Sequence, residues 1–268
     1  MDWFQSLVDA TESVPLATVP LRPLLSLCRT VVRGYPILYS DGLITKVLSD
    51  DLNGNIGRLD GALAEMERQA AEERGSNPAS NSAEGAGGGG GAGGGAGGGA
   101  GGGAGGGAGS GAGGGAGGGG AKPGLSYSTD TGPTLEDFTA FFPAHTSEGN
   151  FGLRWIARVL CFVTILLRKL GSNRDLSISL AGRQVYTEVI APHHAPVMAF
   201  VVKCVLYWAP TRSWVLTNTL RGATNEAVSD ECLRVSSALE PLALALTSHL
   251  EAKGLNFHDI ISAVPGGF

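Results

Sequence analysis

The sequence lacks most of the signatures that mark an enzyme. Along its 268 residues there is no G-x-S-x-G elbow and no H-E-x-x-H pair, so neither of those hydrolase arrangements is encoded. A phosphate-binding loop is missing as well. The tract ending GGGGAKPG resembles one superficially, but Ala121 separates the last glycine from Lys122, and Pro123 follows. The motif needs Gly-Lys-Ser/Thr opening a helix. His193 and His194 could pair with a distant Asp as a base and its orienting group, yet no nucleophile stands out beside them. The four cysteines, Cys28, Cys161, Cys204 and Cys232, have no CxxC spacing, which argues against a zinc site or a disulfide framework. Cys28, Cys161 and Cys204 lie in apolar runs and read as small core residues. The expectation is a protein that is not an enzyme and has no cofactor and no metal.

Long apolar runs are absent too. The longest, VLCFVTILL at 159–167, is bounded by Arg158 and Arg168, whereas a membrane span needs about 20 residues. The opening MDWFQSLVDATE carries early acids and no basic stretch, so no secretory signal is expected. Net charge is -5 and the pI is near 5.5, which gives no support for nucleic-acid binding. A monomeric cytosolic protein without a transmembrane segment is the expectation. No sustained alternation of apolar and polar residues supports a sheet, so the fold class is all-α.

What the sequence has in excess is glycine, 43 residues, most of them in one place. From about Glu84 to Gly120 the chain is nearly pure Gly and Ala. Such a tract has no side chains to bury and maximal backbone entropy to lose, so it is expected to stay disordered. Its Ser-, Pro- and Asn-rich flanks extend the inserted loop to 75–134. The remainder, 15–74 plus 135–268, amounts to about 195 residues, a comfortable single-domain size. Each doubling of loop length costs only about 0.6 kcal/mol, so one domain with a long insertion is tolerable.

Seven or eight helices are expected. One starts at Pro20 or Pro23 and breaks at Gly34–Pro36. One long helix, or two, runs to Arg74, with Gly54, Gly57 and Gly61 along a face where a helix or ligand could come close. Another starts at Thr134–Glu136. The strongest, 151–171, is apolar nearly all round and so belongs at the centre. Further helices follow around Tyr186, from Pro196 to Pro210, in TRSWVLTNTL, and after Ser229 as N-cap, with a possible kink at Glu240–Pro241.

One polar pattern interrupts an apolar face. In KVLSDDLNGNIGRLDGAL, Asp51, Asn55 and Arg58 line up at helical spacing beside the apolar stripe. Taken singly, the row reads as a solvated face with local pairing. Against that, Ile44 and Leu48 precede Asp51 on the same side, and buried carboxylates and amides need partners, which a hydroxylated ligand could supply. Trp155 alone reads as core, and His194, just before a helix start, as a cap or surface residue. Asp50, about 100° away from Asp51 around the helix, keeps the solvated reading.

Together, DDLNGNIGRL, RWIARVL and HAPVMAFVVKCVLYWAP resemble the glycolipid transfer protein family. The D-x-x-x-N-x-x-K/R run is matched by Asp51, Asn55 and Arg58, and W-[IL]-x-R-x-L by Trp155, Arg158 and Leu160. His194 stands before the Pro210 of YxAP, with Tyr186 eight residues ahead of it. The resemblance implies a two-layer all-α sandwich of about eight helices. It would hold one sphingolipid, headgroup at the surface and chains in an apolar pocket. Asp51 and Asn55 would bind the first sugar's hydroxyls, and Asp51 would also accept from the ceramide amide N–H. His194 would donate to the amide carbonyl, Arg58 would keep a cation beside the sugar, and Trp155 would stack on it.

The chemistry fits: a carboxylate and a carboxamide together offer acceptors and donors for vicinal hydroxyls. Two chains carry about 30 methylenes at roughly 0.8 kcal/mol each, so a pocket that shelters them removes most of the cost of leaving a bilayer. A sister branch that binds ceramide-1-phosphate has cations where this chain has Asn55, Trp155 and Phe151. That favours a neutral sugar; Arg154 and Arg158 lie off Trp155 by about 100° and 300° and are poor substitutes. Alternatives are a ceramide-1-phosphate or other phosphosphingolipid carrier, and a lipid sensor or scaffold with little transfer. Pro196 replaces a membrane-docking Trp of the family, so transient docking would fall to Val197, Phe200, Tyr207, Trp208 or Trp214. His145 has no assigned role. Replacing 84–120 with a short Gly-Ser linker is expected to leave the circular dichroism spectrum and vesicle-to-vesicle transfer unchanged; lost transfer would make the tract a working part.

Overall fold

The computed structural model describes residues 2–38, 42–76, 132–142, 147–220 and 222–255. Most of the Gly/Ala-rich insertion, His145 and Arg221 lie outside these, as do the side chains of Ile44 and Leu48. Nine α-helices and no strand occur among the described residues: α1 Asp2–Glu12, α2 Leu21–Leu38, α3 Gly42–Ser76, α4 Leu135–Phe141, α5 Glu148–Ser172, α6 Ile178–Val189, α7 Pro196–Tyr207, α8 Arg212–Asn218 and α9 Asn225–Ala252. A 3-10 turn, Ala191–His193, joins α6 to α7.

The expected all-α sandwich is built around α5, with α3 and α9 packed along it and α6 beside them. Its composition explains the position: a helix apolar nearly all round must be covered nearly all round. By length and hydropathy α5 could cross a membrane, but 83% of its apolar window is buried inside the protein.

Several helix boundaries follow from local chemistry. Thr134 caps α4 in a capping box with Asp137, each satisfying the other's backbone N–H. Ser147, Ser177, Thr211 and Thr224 cap α5, α6, α8 and α9. The true cap of α9 is therefore Thr224. Ser229, expected there, lies one turn inside, donates to Asn225 O at 2.8 Å and accepts from Arg212 Nη2 at 2.6 Å. The two segments flanking the insertion are joined by backbone: Leu21 N donates to Pro133 O and Leu135 N to Val19 O, both at 3.1 Å. The entry to α4 is thus tied to the entry to α2.

Three expectations are corrected. The N-terminal residues are not peripheral: Phe4, Leu7, Val8 and Thr11 repeat at helical spacing and bury α1 against α2 and α9, so the packed body begins before residue 15. The break at Gly34–Pro36 does not form. The helix continues to Leu38, and Gly34 is needed because the Trp3 indole fills the space of a side chain, with a Cβ falling 2.2 Å from Trp3 Cζ2. Cys204, read as core, is exposed on α7, while Cys28, Cys161 and Cys232 are buried.

The glycines expected to face a neighbour do not: a Cβ on Gly54, Gly57 or Gly61 would meet nothing within 4 Å. The close approach is on α5 instead. A Cβ on Gly152 would lie 2.7 Å from Asn55 O and 3.1 Å from Leu59 N, and one on Gly149 2.6 Å from Ala62 Cβ. Backbone cannot yield as a side-chain tip can, so Gly152→Ala should force α3 and α5 apart and cost about 1–3 kcal/mol. Gly57→Ala should stabilise α3 by up to ~1 kcal/mol. Urea denaturation of both variants checks the contrast; equal effects would mean that the helices are not in contact at Gly152.

Candidate functional site

The Gly152 contact decides where the site lies. It presses α5 onto α3 at Asn55, so the polar row of α3 faces the start of α5. Asn55 is buried, 1% exposed. Its amide nitrogen donates to Asp51 O at 2.8 Å, and its carbonyl accepts from Arg58 Nη1 at 3.0 Å. Arg58 pairs with Glu148, at the start of α5, at 3.0 Å, and its guanidinium lies 5.1 Å from the Phe151 ring. Four of the expected site residues therefore come together from two helices: Asp51, Asn55 and Arg58 along α3, and Trp155 one turn beyond Phe151 on α5.

His194 completes the set from the turn before α7. Its ring centroid is 4.8 Å from that of Trp155, and Tyr186 Oη lies 2.7 Å from its Nδ1. Tyr186, marked in the sequence only by its spacing from His194, is thus its hydrogen-bond partner. Trp155 itself is 5% exposed, covered by His194, by Phe151 at 6.2 Å and by the Arg158 guanidinium at 5.2 Å. It offers no open face for stacking in this arrangement. Sequence reasoning set Arg158 aside on helical angle. In the structure it is buried against Trp155, because a long side chain reaches across the angle that separates the two backbone positions. Asp50 pairs with Lys46 at 2.6 Å on the surface and also borders the cavity that Asp51 lines.

The electrostatics follow from a mouth that is half wet and half apolar. Asp51 is open to solvent on one side and backs onto an apolar cavity on the other. Desolvation raises its carboxyl above the ordinary range, opposed by the charges of His194 and Arg58. Burial lowers His194, Asp51 pulls it up and Arg158 pushes it down again. Burial and the Asp51 charge push Tyr186 up to about 12. At neutral pH the phenol therefore keeps its proton and the imidazole is neutral. A phenol that donates to Nδ1 leaves Nε2–H as the imidazole's single donor.

Below this polar mouth lies a cavity of about 390 Å³. Its walls include Val31 and Tyr35 of α2, Phe162 and Val163 of α5, and Val202 and Leu206 of α7. A dry cavity of roughly 150 Å³ already takes a benzene, so this one has room for aliphatic chain. Asp51, Tyr186 and His194 all line it. The arrangement can hydrogen-bond a polar head at the surface and shelter apolar tails beneath it. Among the described residues no cluster of His, Cys, Asp and Glu could hold a metal ion.

The two titrating groups pull stability in opposite directions. The lowered His194 contributes stability that is complete above its unfolded value of 6.5 and is lost as pH falls through its folded value. The raised Asp51 contributes below its unfolded value of 3.8, and that contribution is lost as the carboxyl ionises. Asp51→Asn is therefore expected to raise the melting temperature of the protein at pH 7. A lower melting temperature at pH 7 would show that the charged carboxylate stabilises the fold.

Comparison with known proteins agrees with the geometry. Residues 136–222, spanning α4 to α8 with Trp155 and His194, match the family model for glycolipid transfer protein (GLTP). No curated protein matches the sequence. Among solved structures, human ceramide-1-phosphate transfer protein in complex with 12:0 ceramide-1-phosphate superposes with a TM-score of 0.60 at 15% identity, over 94% of this chain and 96% of that one. HET-C2, a fungal glycolipid transfer protein, gives 0.57 at 15%, over 94% and 95%. FAPP2, which selects simple glycosphingolipids using the same fold, gives 0.57 at 17%, over 95% and 97%. The family match covers residues 136–222, and the solved structures share this chain's all-helical fold.

Proposed function

We propose that this protein binds one sphingolipid with a neutral sugar headgroup and carries it between membranes without covalent chemistry. The observation that carries the reading is the set of polar groups, Asp51, Tyr186 and His194 with Asp50 beside them, on a largely apolar cavity of about 390 Å³. Asp51 accepts from the ceramide amide N–H and a sugar hydroxyl. Asn55 and Arg58, already bonded to each other, hold the row in place and meet the sugar at its edge. Neutral His194 donates Nε2–H to the amide carbonyl, oriented by Tyr186. Trp155 reaches a pyranose only after its cover of His194, Phe151 and Arg158 shifts, so its first role is to pack the imidazole.

Two carboxylates favour a neutral headgroup over a phosphate. Asp51 lines the cavity, and Arg58 is engaged by Glu148. A phosphate would have to displace Glu148 and would meet the Asp51 charge. One observation supports the phosphosphingolipid reading: the guanidiniums of Arg58 and Arg154 lie 5.1 and 5.9 Å from the same Phe151 ring, with Arg158 over Trp155.

Docking falls to α7 and its flanks. Val197, Phe200 and Trp208 are 76, 68 and 75% exposed, and Tyr207 stands beside Trp208. No acidic residue occurs between Glu188 and Glu226, so α7 and its flanks carry no carboxylate of their own to repel an anionic bilayer. The face adjoins Met198 and Val202, which line the cavity. The protein works at the cytosolic surface of membranes and touches them transiently.

Vesicle-to-vesicle transfer of fluorescent glucosylceramide and ceramide-1-phosphate tests the reading. Glucosylceramide transfer is expected to exceed ceramide-1-phosphate transfer, and Asp51→Val to reduce it by at least about tenfold, as loss of a hydrogen bond to a charged group implies. The reverse preference would establish the phosphosphingolipid carrier, and tight binding without transfer a sensor.

A further inference from the structure

Behind the first cavity lies a second, of about 50 Å³, walled by Phe4, Ile178, Val215, Leu216 and Val228. Three residues line both: Trp3, Leu166 and Leu167. The polar mouth is at the Trp155 end of α5. Leu166 lies about 17 Å further along the axis, at roughly 1.5 Å per residue. Trp3 is therefore at the deep end of the first cavity, between it and the second.

The indole is held there from two sides. Its Nε1 donates to Thr30 O at 2.8 Å, which satisfies the one polar group of the ring. Its six-membered ring lies against Gly34, where a side chain would leave no room. The second cavity is apolar apart from Arg212, whose terminal nitrogens donate to Leu170 O and Ser229 Oγ. An apolar space of this kind stays dry and takes an apolar occupant. The apolar object that could arrive there is the far end of a chain already threaded through the first cavity.

We propose that Trp3 is the chain-length-determining residue of this protein: its indole is the floor on which an aliphatic chain ends, and the second cavity is the subsite that its removal would open. The inference rests on the sphingolipid reading above. It assigns to α1, which lies apart from the headgroup residues, the choice among lipids that share a headgroup.

The test is competition against a fluorescent sphingolipid by a ladder of otherwise identical lipids, from medium-chain to very-long-chain acyl groups. For the wild type, affinity should stop rising once the chain reaches Trp3. For Trp3→Ala it should keep rising, favouring the very-long-chain over the medium-chain lipid by at least about tenfold more than the wild type, since each further buried methylene is worth about fourfold. Val228→Phe, which fills the second cavity, should cancel the gain in the Trp3→Ala background and leave medium-chain binding intact in the wild type. If Trp3→Ala does not fold, Trp3→Phe, smaller and without the Thr30 bond, should shift the profile in the same direction. A folded variant whose profile matches the wild type overturns the assignment while leaving the sphingolipid reading in place. A wild type that binds no sphingolipid of any length overturns both.

Discussion

The close approach of α3 and α5 is the constraint on which the rest of the structure depends. Gly149 and Gly152 remove the side chains that would hold the two helices apart, and Asn55 O comes within 2.7 Å of where a Cβ would stand. Because α5 is apolar nearly all round, it can accept α3, α6 and α9 at once. The polar row of α3 is then set beside Glu148, Phe151 and Trp155. A cavity is left where α2, α5, α6 and α7 diverge. The proposed headgroup site and chain chamber are consequences of one helix contact.

The candidate site is organised around internal partners. Asn55 bonds Asp51 O and Arg58, Tyr186 bonds His194, and Trp155 is covered. Buried polar groups left unpaired would cost about 1–3 kcal/mol each, so these pairings stabilise the fold. Asp51 is the exception: its raised carboxyl marks a charge held in a partly desolvated place. A group in that state gains most from a donor that arrives with a ligand, which is why Asp51 stands at the centre of the proposed recognition.

Much of this was legible in the sequence, for identifiable reasons. The apolar run of α5 announced a central helix, and the spacing of Asp51, Asn55 and Arg58 placed them in a row. Tyr186 was marked only by its spacing from His194, and the structure joins the two at 2.7 Å. What was missed depends on which partner a face meets, and helical period alone does not encode that. Gly54, Gly57 and Gly61 have the spacing of a packing face but look into open space, whereas Gly149 and Gly152, two glycines one turn apart at the start of α5, make the contact. Arg158 was judged by backbone angle, although its side chain is long enough to reach Trp155 regardless. The role of Trp3 could not be read at all: it arises where α1 meets α2 and α5, far apart in sequence.

The central claim is that Asp51 and His194 together grip the polar head of a sphingolipid whose chains fill the cavity below. A crystal structure of the protein with bound glucosylceramide tests it most directly. The account predicts the Asp51 carboxylate within hydrogen-bonding distance of the amide N–H, His194 Nε2 on the amide carbonyl, and aliphatic density between Val163 and Trp3. A headgroup bound away from Asp51 and His194, or chains lying outside that cavity, would contradict it.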